Sequence, residues 1–379
     1  MKIGILTLPL HTNYGGILQA YALQTLLEHM GHRAFLIETE RKYNITFWQM
    51  LRTFPKRVLD SVKEGKFRFG IKYERDLRKK QNETRCLYTS EFINRNIKLL
   101  RIKSFYELTE TMFDIIIVGS DQVWRPKYAN LLMGSVRHAY LDFTIGWQDI
   151  KRISYAASFG TSDWEYNSEE TKTCSNLLAK FVAVSVREQS GIKLCKDNFG
   201  RQDTVTVLDP TLLFDQSFYS QLFIGKSTKS NGNLMCYVLD KNKNIDQIIE
   251  ICSKKMQLTP FYVNTGWNKS PSSTENGVQI SVEQWLRGFF DAEYVITDSF
   301  HACVFSILFR KQFFVIGNSK RGLTRFDALL TQFNLTERMI DHSFVDAKEW
   351  PANIDYNEVY KLLQLRREES IKFLQKYIV

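Results

Sequence analysis

Between Tyr294 and Phe309 the chain reads "YVITDSFHACVFSILF", an apolar run broken by Thr297, Asp298 and Ser299, with His301 one aromatic residue further on. A carboxylate, a hydroxyl and an imidazole set between two core-bound segments are the groups of acid–base chemistry. With a strand ending at Thr297, Asp298 or Ser299 is placed to cap a helix, and His301 falls in that helix's first turn. Val304, Ile307 and Leu308 then face the core. The first N–H groups of a helix have no internal partner and carry partial positive charge, so this turn suits an anion. A capped helix start whose histidine merely packs fits the same residues.

Further groups of this kind sit beside other strand-like runs. "HTNYGGILQ" (11–19) holds Asn13, Tyr14, Gly15 and Gly16 between a strand and a helix, where glycines let the backbone approach a phosphate or carboxylate. The spacing is not G-x-G-x-x-G, which removes the dinucleotide fingerprint and leaves a plain tight turn as the other reading. "IIIVGSDQVWRP" (115–126) sets Ser120, Asp121 and Gln122 beside Trp124, a carboxylate–amide–aromatic combination suited to a sugar. The alternative is a helix cap with Trp124 in the core. In "VAVSVREQSGIKLC" (182–195), Arg187 directly follows a buried-looking strand. Its planar fork would take both oxygens of a carboxylate or phosphate, or else pair with an acid such as Glu188. Ser158, in "YAASFG" (155–160), is the weakest of these, because small residues there also serve close packing.

Such groups need a frame, and the apolar pattern supplies one. Strands are expected at 2–8, 33–39, 113–119, 153–159, 181–187 and 204–209, several of them continuous runs suited to a parallel sheet buried on both faces. Between the first two, Ile17, Leu18, Tyr21, Ala22 and Leu26 recur at helical spacing up to Gly31, completing a βαβ unit. "GKSTKSNGN" (225–233) reads as a linker. The pattern then restarts with strands at 234–240, 261–265, 294–298 and 312–317, helices near 244–256 and from about 299, and a further apolar segment at 282–292. A long helix closes the chain. The expected organisation is an α/β domain over 1–224 with a basic helical insertion at about 41–103, a second α/β domain over 234–345, and a C-terminal helix in 346–379. The cleft between the domains is the default site.

Bulk composition narrows the function classes. The chain has 379 residues, 44% of them hydrophobic, enough for two cores, and no apolar run approaches the length of a membrane span. Cys86, Cys174, Cys195, Cys236, Cys252 and Cys303 lie far apart with no Cys-x-x-Cys pair, which argues for reduced thiols in a cytoplasm and against a zinc site. The formal charge is +10, yet Arg41 to Lys103 alone carries 18 Lys and Arg against 6 Asp and Glu, or +12, so the remainder sums to −2. So local a charge excludes a generally nucleic-acid-coated protein. Residues 47–80 mix it with aromatics such as Phe47, Trp48, Phe54, Phe67 and Phe69, which suits either an anionic lipid surface or a solvated helical face.

Taken in order, "GILTLPLHTNYGGILQAYALQTLL", "DIIIVGSDQVW", "ISYAASFG", "VSVREQSG", "VLDPTLLF" and "VITDSFHACVFSILFRKQFFVI" resemble the polysaccharide pyruvyl transferase family over most of positions 1 to 320. The resemblance implies two Rossmann-like domains facing a cleft, as in the GT-B glycosyltransferases. It also implies transfer of a pyruvyl group from phosphoenolpyruvate to two hydroxyls of a sugar, with no metal or organic cofactor. By the same resemblance His301 is the motif histidine and proton donor, Arg187 the donor-binding arginine, and Asn13, Tyr14, Gly15, Gly16, Ser120, Asp121, Ser158 and Ser299 line the substrates. The acceptor it implies is a surface-polysaccharide sugar, lipid-linked, at the cytoplasmic membrane face. One departure stands out: many relatives carry Ser-x-Arg-Leu-His where this chain has "TDSFH", so Ser299 and Phe300 occupy the Arg and Leu positions. Lys320, Arg321 and Arg325, just after the following strand, are the candidates to supply the missing guanidinium or ammonium, and Arg321 is taken as the substrate-binding one. A nucleotide-sugar glycosyltransferase and a non-catalytic sugar-binding protein are the rival readings.

Overall fold

The computed structural model describes residues 1–40, 70–240, 242–263, 278–317, 323–341, 344 and 350–378. The chain begins with β1 (Lys2–Leu6), α1 (Tyr14–His29) and β2 (Arg33–Thr39), with the two strands parallel and Ile3 opposite Ala34. Gly31, at φ +86°, turns the chain out of α1 in the left-handed conformation that glycine adopts without strain.

Next come α2 (Ile71–Arg85), α3 (Leu87–Asn96) and β3 (Leu99–Ile102). The expected insertion at 41–103 therefore ends too late. Leu99–Ile102 is an edge strand paired with β2, and Phe92 and Ile93 of α3 are buried in the core that α1 shares. A four-residue edge strand, flanked by Lys98 and Lys103, leaves too short an apolar signal to register.

The first domain continues with β4 (Ile115–Val118), α4 (Pro126–Leu132), β5 (Lys151–Ala157), α5 (Ser168–Leu178), β6 (Ala183–Val186), α6 (Gln189–Phe199), β7 (Val205–Thr206) and α7 (Gln216–Phe223). Its seven strands are all parallel, in the order β3-β2-β1-β4-β5-β6-β7. The central strand β4 is buried along its whole length, as its unbroken "IIIV" requires.

The second domain holds β8 (Leu234–Tyr237), α8 (Lys243–Met256), β9 (Pro260–Tyr262), α9 (Val282–Asp291), β10 (Tyr294–Thr297), α10 (Phe300–Leu308), β11 (Gln312–Ile316), α11 (Thr324–Gln332) and β12 (Met339–Ile340). These strands form a parallel five-stranded sheet ordered β12-β11-β10-β8-β9. The linker does not hang free. Thr228 N donates to Gln284 Oε1 at 3.0 Å and Ser230 N to Asp291 Oδ2 at 2.7 Å, fastening it along α9.

The last helix, α12 (Tyr356–Ile378), straps both halves. Tyr360 donates to Leu308 O at 2.7 Å in the second domain, while Arg367 donates to Leu212 O and Phe214 O, both at 2.9 Å, in the first. One apolar cluster runs from α1 through 207–223 into α9, α10 and α12, so the two sheets share a core and the cleft between them has a fixed floor.

In each sheet the strand order reverses once, between β1 and β4 in the first and between β8 and β10 in the second. At such a reversal the connections leave toward opposite faces and open a crevice beyond the carboxyl ends of the strands. The loops after β1, β4, β8 and β10 meet there.

Candidate active site

A cleft of about 480 Å³ lies between the two carboxyl edges. Its walls include Asn13, Tyr14 and Asp121 from the first domain and Ser299, His301 and Arg325 from the second. His301 stands in the first turn of α10, 5% exposed. The capping reading of its neighbours is corrected by the structure. Ser299 occupies the N-cap without a side-chain cap bond, and the Asp298 carboxylate accepts from Leu239 N at 2.7 Å and Asp240 N at 3.0 Å, tying the β8 and β10 loops together. The first N–H groups of α10 thus have no side-chain cap.

Beneath His301 is a buried polar network that the sequence reading did not assemble. Asp209, 2% exposed, follows β7 and lies 3.6 Å from His301 Nε2, an ion-pair separation rather than a hydrogen bond. The same Asp209 Oδ2 accepts from Arg187 Nη1 at 2.8 Å and Ser120 Oγ at 3.0 Å, while Oδ1 accepts from Thr211 N at 3.0 Å and Oγ1 at 2.7 Å. Burial alone would raise the Asp209 carboxyl, but His301, Arg187 and Thr211 together hold it well below the usual carboxylate range. Burial would likewise weaken the Arg187 charge, yet Asp209, then Glu188 and Asp121, push its pKa above the ordinary arginine value. Both groups stay charged.

Arg187 does not reach the cleft wall. It lies behind Phe300, its guanidinium carbon 4.4 Å from that ring's centroid, and lines a small inner void of about 10 Å³ with Asp209, Glu188 and Arg325. Ser158 also lies behind the wall. It donates to Glu188 Oε1 at 2.7 Å, and the same oxygen accepts from the backbone N–H of Phe159 and Gly160.

The β1–α1 loop differs from its expectation in an informative way. A Cβ built on Gly15 would lie 1.9 Å from His301 Cγ and 2.0 Å from its Nδ1, so the room that this glycine leaves is filled by the imidazole and not by a ligand. Gly16 is less constrained, with Asn13 Nδ2 at 3.1 Å from a built Cβ. Asn13 is the N-cap of α1 but spends its side chain elsewhere, donating from Nδ2 to Asp121 Oδ2 at 3.2 Å. Tyr14 stacks on Trp285 at 5.1 Å and donates to Ile280 O at 2.8 Å, joining the domains at the cleft floor. Asp121 sits at φ +73°, a conformation costly to a non-glycine residue and concentrated at functional sites.

Trp124 is no sugar platform. It is fully buried, stacks on Tyr140 at 5.1 Å and donates Nε1–H to Ala139 O at 3.0 Å. Among the described residues, the Phe and Tyr side chains lining the cleft are Tyr14, Tyr128, Tyr237 and Phe300. Arg321 and Lys320 lie outside the described residues, as do Phe47, Trp48, Phe54, Phe67 and Phe69. Arg325, in the first turn of α11, is described and lines the cleft.

Among the described residues no group of His, Cys, Asp and Glu is arranged to hold a metal ion, and no helix is long and apolar enough to cross a membrane. The six cysteines are buried and unbridged, and burial pushes Cys195 and Cys252 up to about 12, far from a nucleophilic thiolate.

The family model described as polysaccharide pyruvyl transferase matches residues 13–320, a span that takes in the loops after β4, β8 and β10 as well as Arg187, Asp209 and His301. The chain belongs to that family. Membership makes it a transferase of polysaccharide biosynthesis. Among solved structures, Arabidopsis thaliana UGT89C1 complexed with UDP-L-rhamnose is similar over 99% of this chain and 97% of its own, at 9% identity and a TM-score of 0.50. S. aureus MnaA with UDP is similar over 100% and 96%, at 11% identity and a TM-score of 0.48. Acinetobacter baumannii MurG covers 99% and 94%, at 9% identity and 0.41. The first likeness is one of fold, the two-domain GT-B-like arrangement. No curated protein sequence matches the chain significantly.

Proposed function

We propose that the cleft transfers the pyruvyl unit of phosphoenolpyruvate to two hydroxyls of one sugar, giving a pyruvate ketal and inorganic phosphate. The observation that carries this reading is the His301–Asp209 pair, at 3.6 Å, set where the uncapped start of α10 meets the cleft. A proton donor and an anion-seeking helix end within one turn are what an anionic enol ester needs.

In this reading His301 gives a proton to C3 of the donor, and the double bond's electrons leave C2 an oxocarbenium-like centre. One sugar hydroxyl forms a bond to C2, the C2–O bond to phosphate breaks, and the second hydroxyl closes the ketal. Of the two hydroxyl protons, one restores His301 and the other leaves with phosphate. Asp209 is fixed as an anion by Arg187, Ser120 and Thr211, so it orients the ring and partners the imidazolium without itself supplying the proton. The reaction asks for no cofactor.

The acceptor is proposed to be a lipid-linked polysaccharide precursor met at the cytoplasmic membrane face, with the basic residues of α2 (Lys72, Arg75, Lys79 and Lys80, all exposed) turned toward anionic lipid. The test is to incubate the protein with phosphoenolpyruvate and a panel of lipid-linked sugars while following phosphate. Release that requires both substrates and His301 supports the reading. Turnover of a nucleotide sugar in the absence of phosphoenolpyruvate transfers the cleft to the glycosyltransferase alternative, as the fold shared with the UDP-L-rhamnose complex allows.

A further inference from the structure

The family's motif arginine is absent at Ser299, and Arg187, the other guanidinium expected to meet the donor, is drawn back from the cleft. Its Nη1 bonds Asp209 at 2.8 Å, its Nε lies 3.8 Å from Glu188 Oε2, and Phe300 stands in front of it. Two other arginines line the cleft, Arg85 and Arg325. Arg85 is exposed, whereas Arg325 is buried in the wall beside Phe300. Arg325 lies beyond the matched span 13–320, in the first turn of α11, and borders both the cleft and the inner void behind Phe300.

Two guanidiniums lie against one phenyl ring, with the Arg187 carbon at 4.4 Å and the Arg325 carbon at 5.4 Å from the Phe300 centroid. Each residue is only 8% exposed. Cation–π attraction to the ring fixes both planes without consuming their N–H donors. Two buried like charges are costly, and the cost shows: burial first, then the Arg187 charge, brings the Arg325 guanidinium down to about 10. Arg187 Nη2 is buried with no hydrogen-bond partner among the described residues. A bound anion beside Arg325 would offset that repulsion.

We propose that Arg325 is the arginine that receives the donor's anionic group in this cleft, with Phe300 the plate that aligns it, while Arg187 is a positioning residue acting through Asp209 and His301. The chemistry recognised is a phosphate or carboxylate, and phosphoenolpyruvate as its bearer rests on the function proposed above. Phe300 at the motif's Leu position is part of the same arrangement, because only an aromatic ring can hold a second guanidinium by its face.

The experiment titrates phosphoenolpyruvate and, separately, inorganic phosphate into the full-length protein by calorimetry, and measures donor KM and kcat by phosphate release. Wild type is compared with Arg325→Gln, Arg325→Lys, Phe300→Leu and Arg187→Lys, with thermal melting to confirm folding. Arg325→Gln should weaken donor binding and raise KM by about tenfold to a hundredfold, the scale of one charged hydrogen-bonded contact, with kcat changed far less. Arg325→Lys should recover part of the loss, and Phe300→Leu, which keeps both charges, should raise KM several-fold. Arg187→Lys should lower kcat more than it raises donor KM. Should Arg325→Gln not fold, Arg325→Lys and Phe300→Leu carry the decision. Donor KM and affinity unchanged in the folded Arg325 and Phe300 variants overturn the proposal, as does a wild type that binds neither probe. A wild type that binds inorganic phosphate through Arg325 but neither binds nor turns over phosphoenolpyruvate upholds the arginine and rejects the donor.

Discussion

Gly15→Ala adds one methyl group to α1 and aims it at the centre of the proposed chemistry. The new carbon would lie 1.9 Å from His301 Cγ, 2.0 Å from Nδ1 and 2.5 Å from Cβ. Non-bonded carbons rest at about 3.5 Å, so the imidazole must retreat by roughly 1.5 Å. Its backbone cannot follow, because Phe300 and Ala302 on either side are buried in α10. The ring must therefore leave its position beside Asp209. Overpacking of this kind costs about 1–3 kcal/mol, and alanine's helix propensity returns up to about 1 kcal/mol, so the net loss of stability is about 3 kcal/mol at most. For domains of this size that lowers Tm by about 2–4 °C for each kcal/mol. Turnover should suffer far more, since displacing a reacting group by about 1 Å costs on the order of a hundredfold. Phosphate release from phosphoenolpyruvate and acceptor, followed beside thermal melting, separates the two effects. Gly16→Ala, whose methyl meets the Asn13 side chain with Nδ2 nearest at 3.1 Å, is the control and should cost much less. A folded Gly15→Ala protein with kcat within about threefold of wild type would refute a fixed His301 as the proton donor.

Other perturbations read other parts of the site. His301→Ala should remove at least about a hundredfold of turnover while the protein stays folded, as checked by kcat and melting together. Asp209→Asn leaves Arg187 buried without its counter-charge and should cost about 3–5 kcal/mol in denaturant unfolding. Because the Asp209 carboxyl is held below its ordinary value, its ionised form stabilises the fold fully above about pH 4 and that contribution is lost as pH falls toward the folded value. The wild type should therefore lose stability on acidification below about pH 4 with a steeper slope than Asp209→Asn, and equal slopes would show Asp209 uncoupled from the fold. At the basic segment, each Lys or Arg near an anionic bilayer is worth about 1 kcal/mol and is screened within about 10 Å at moderate salt. The protein should sediment with anionic vesicles at low salt, leave them at high salt and ignore neutral ones. Equal binding to both kinds of vesicle would make that segment a solvated face only.

Much of the frame was legible because buried parallel strands announce themselves. "IIIV" (115–118), "RAFLIET" (33–39) and "YVIT" (294–297) were strands on apolar content alone, and α1 with Ile17, Leu18, Ala22 and Leu26 carried a helical stripe. Leu99–Ile102 and Met339–Ile340 escaped, being short edge strands whose pairing is decided by neighbours far away in sequence. His301, Asn13, Asp121 and Ser299 do share one cleft, since the loops that hold them follow strands at the two switch points. What local reading missed was the network beneath. Asp209 lies in a quoted motif, yet nothing near it in sequence reveals that it pairs with Arg187, 22 positions earlier, and faces His301, 92 positions later. Capping rules also misled at Asp298, whose side chain serves another loop, and Asn13 at the start of α1 likewise turns its side chain to Asp121 rather than capping. Local preference yields to the site in both places.

Protonation of the donor's C3 is the step that most sharply separates ketal formation from glycosyl transfer, and solvent deuterium reads it directly. Phosphoenolpyruvate and a sugar acceptor turned over in D₂O should give a ketal whose methyl group carries one solvent deuterium in early turnover, with one phosphate released for each ketal formed. His301→Ala should slow label incorporation and phosphate release together. A sugar product without a labelled methyl group, or turnover that proceeds only with a nucleotide sugar, would contradict proton delivery from His301 to phosphoenolpyruvate in this cleft.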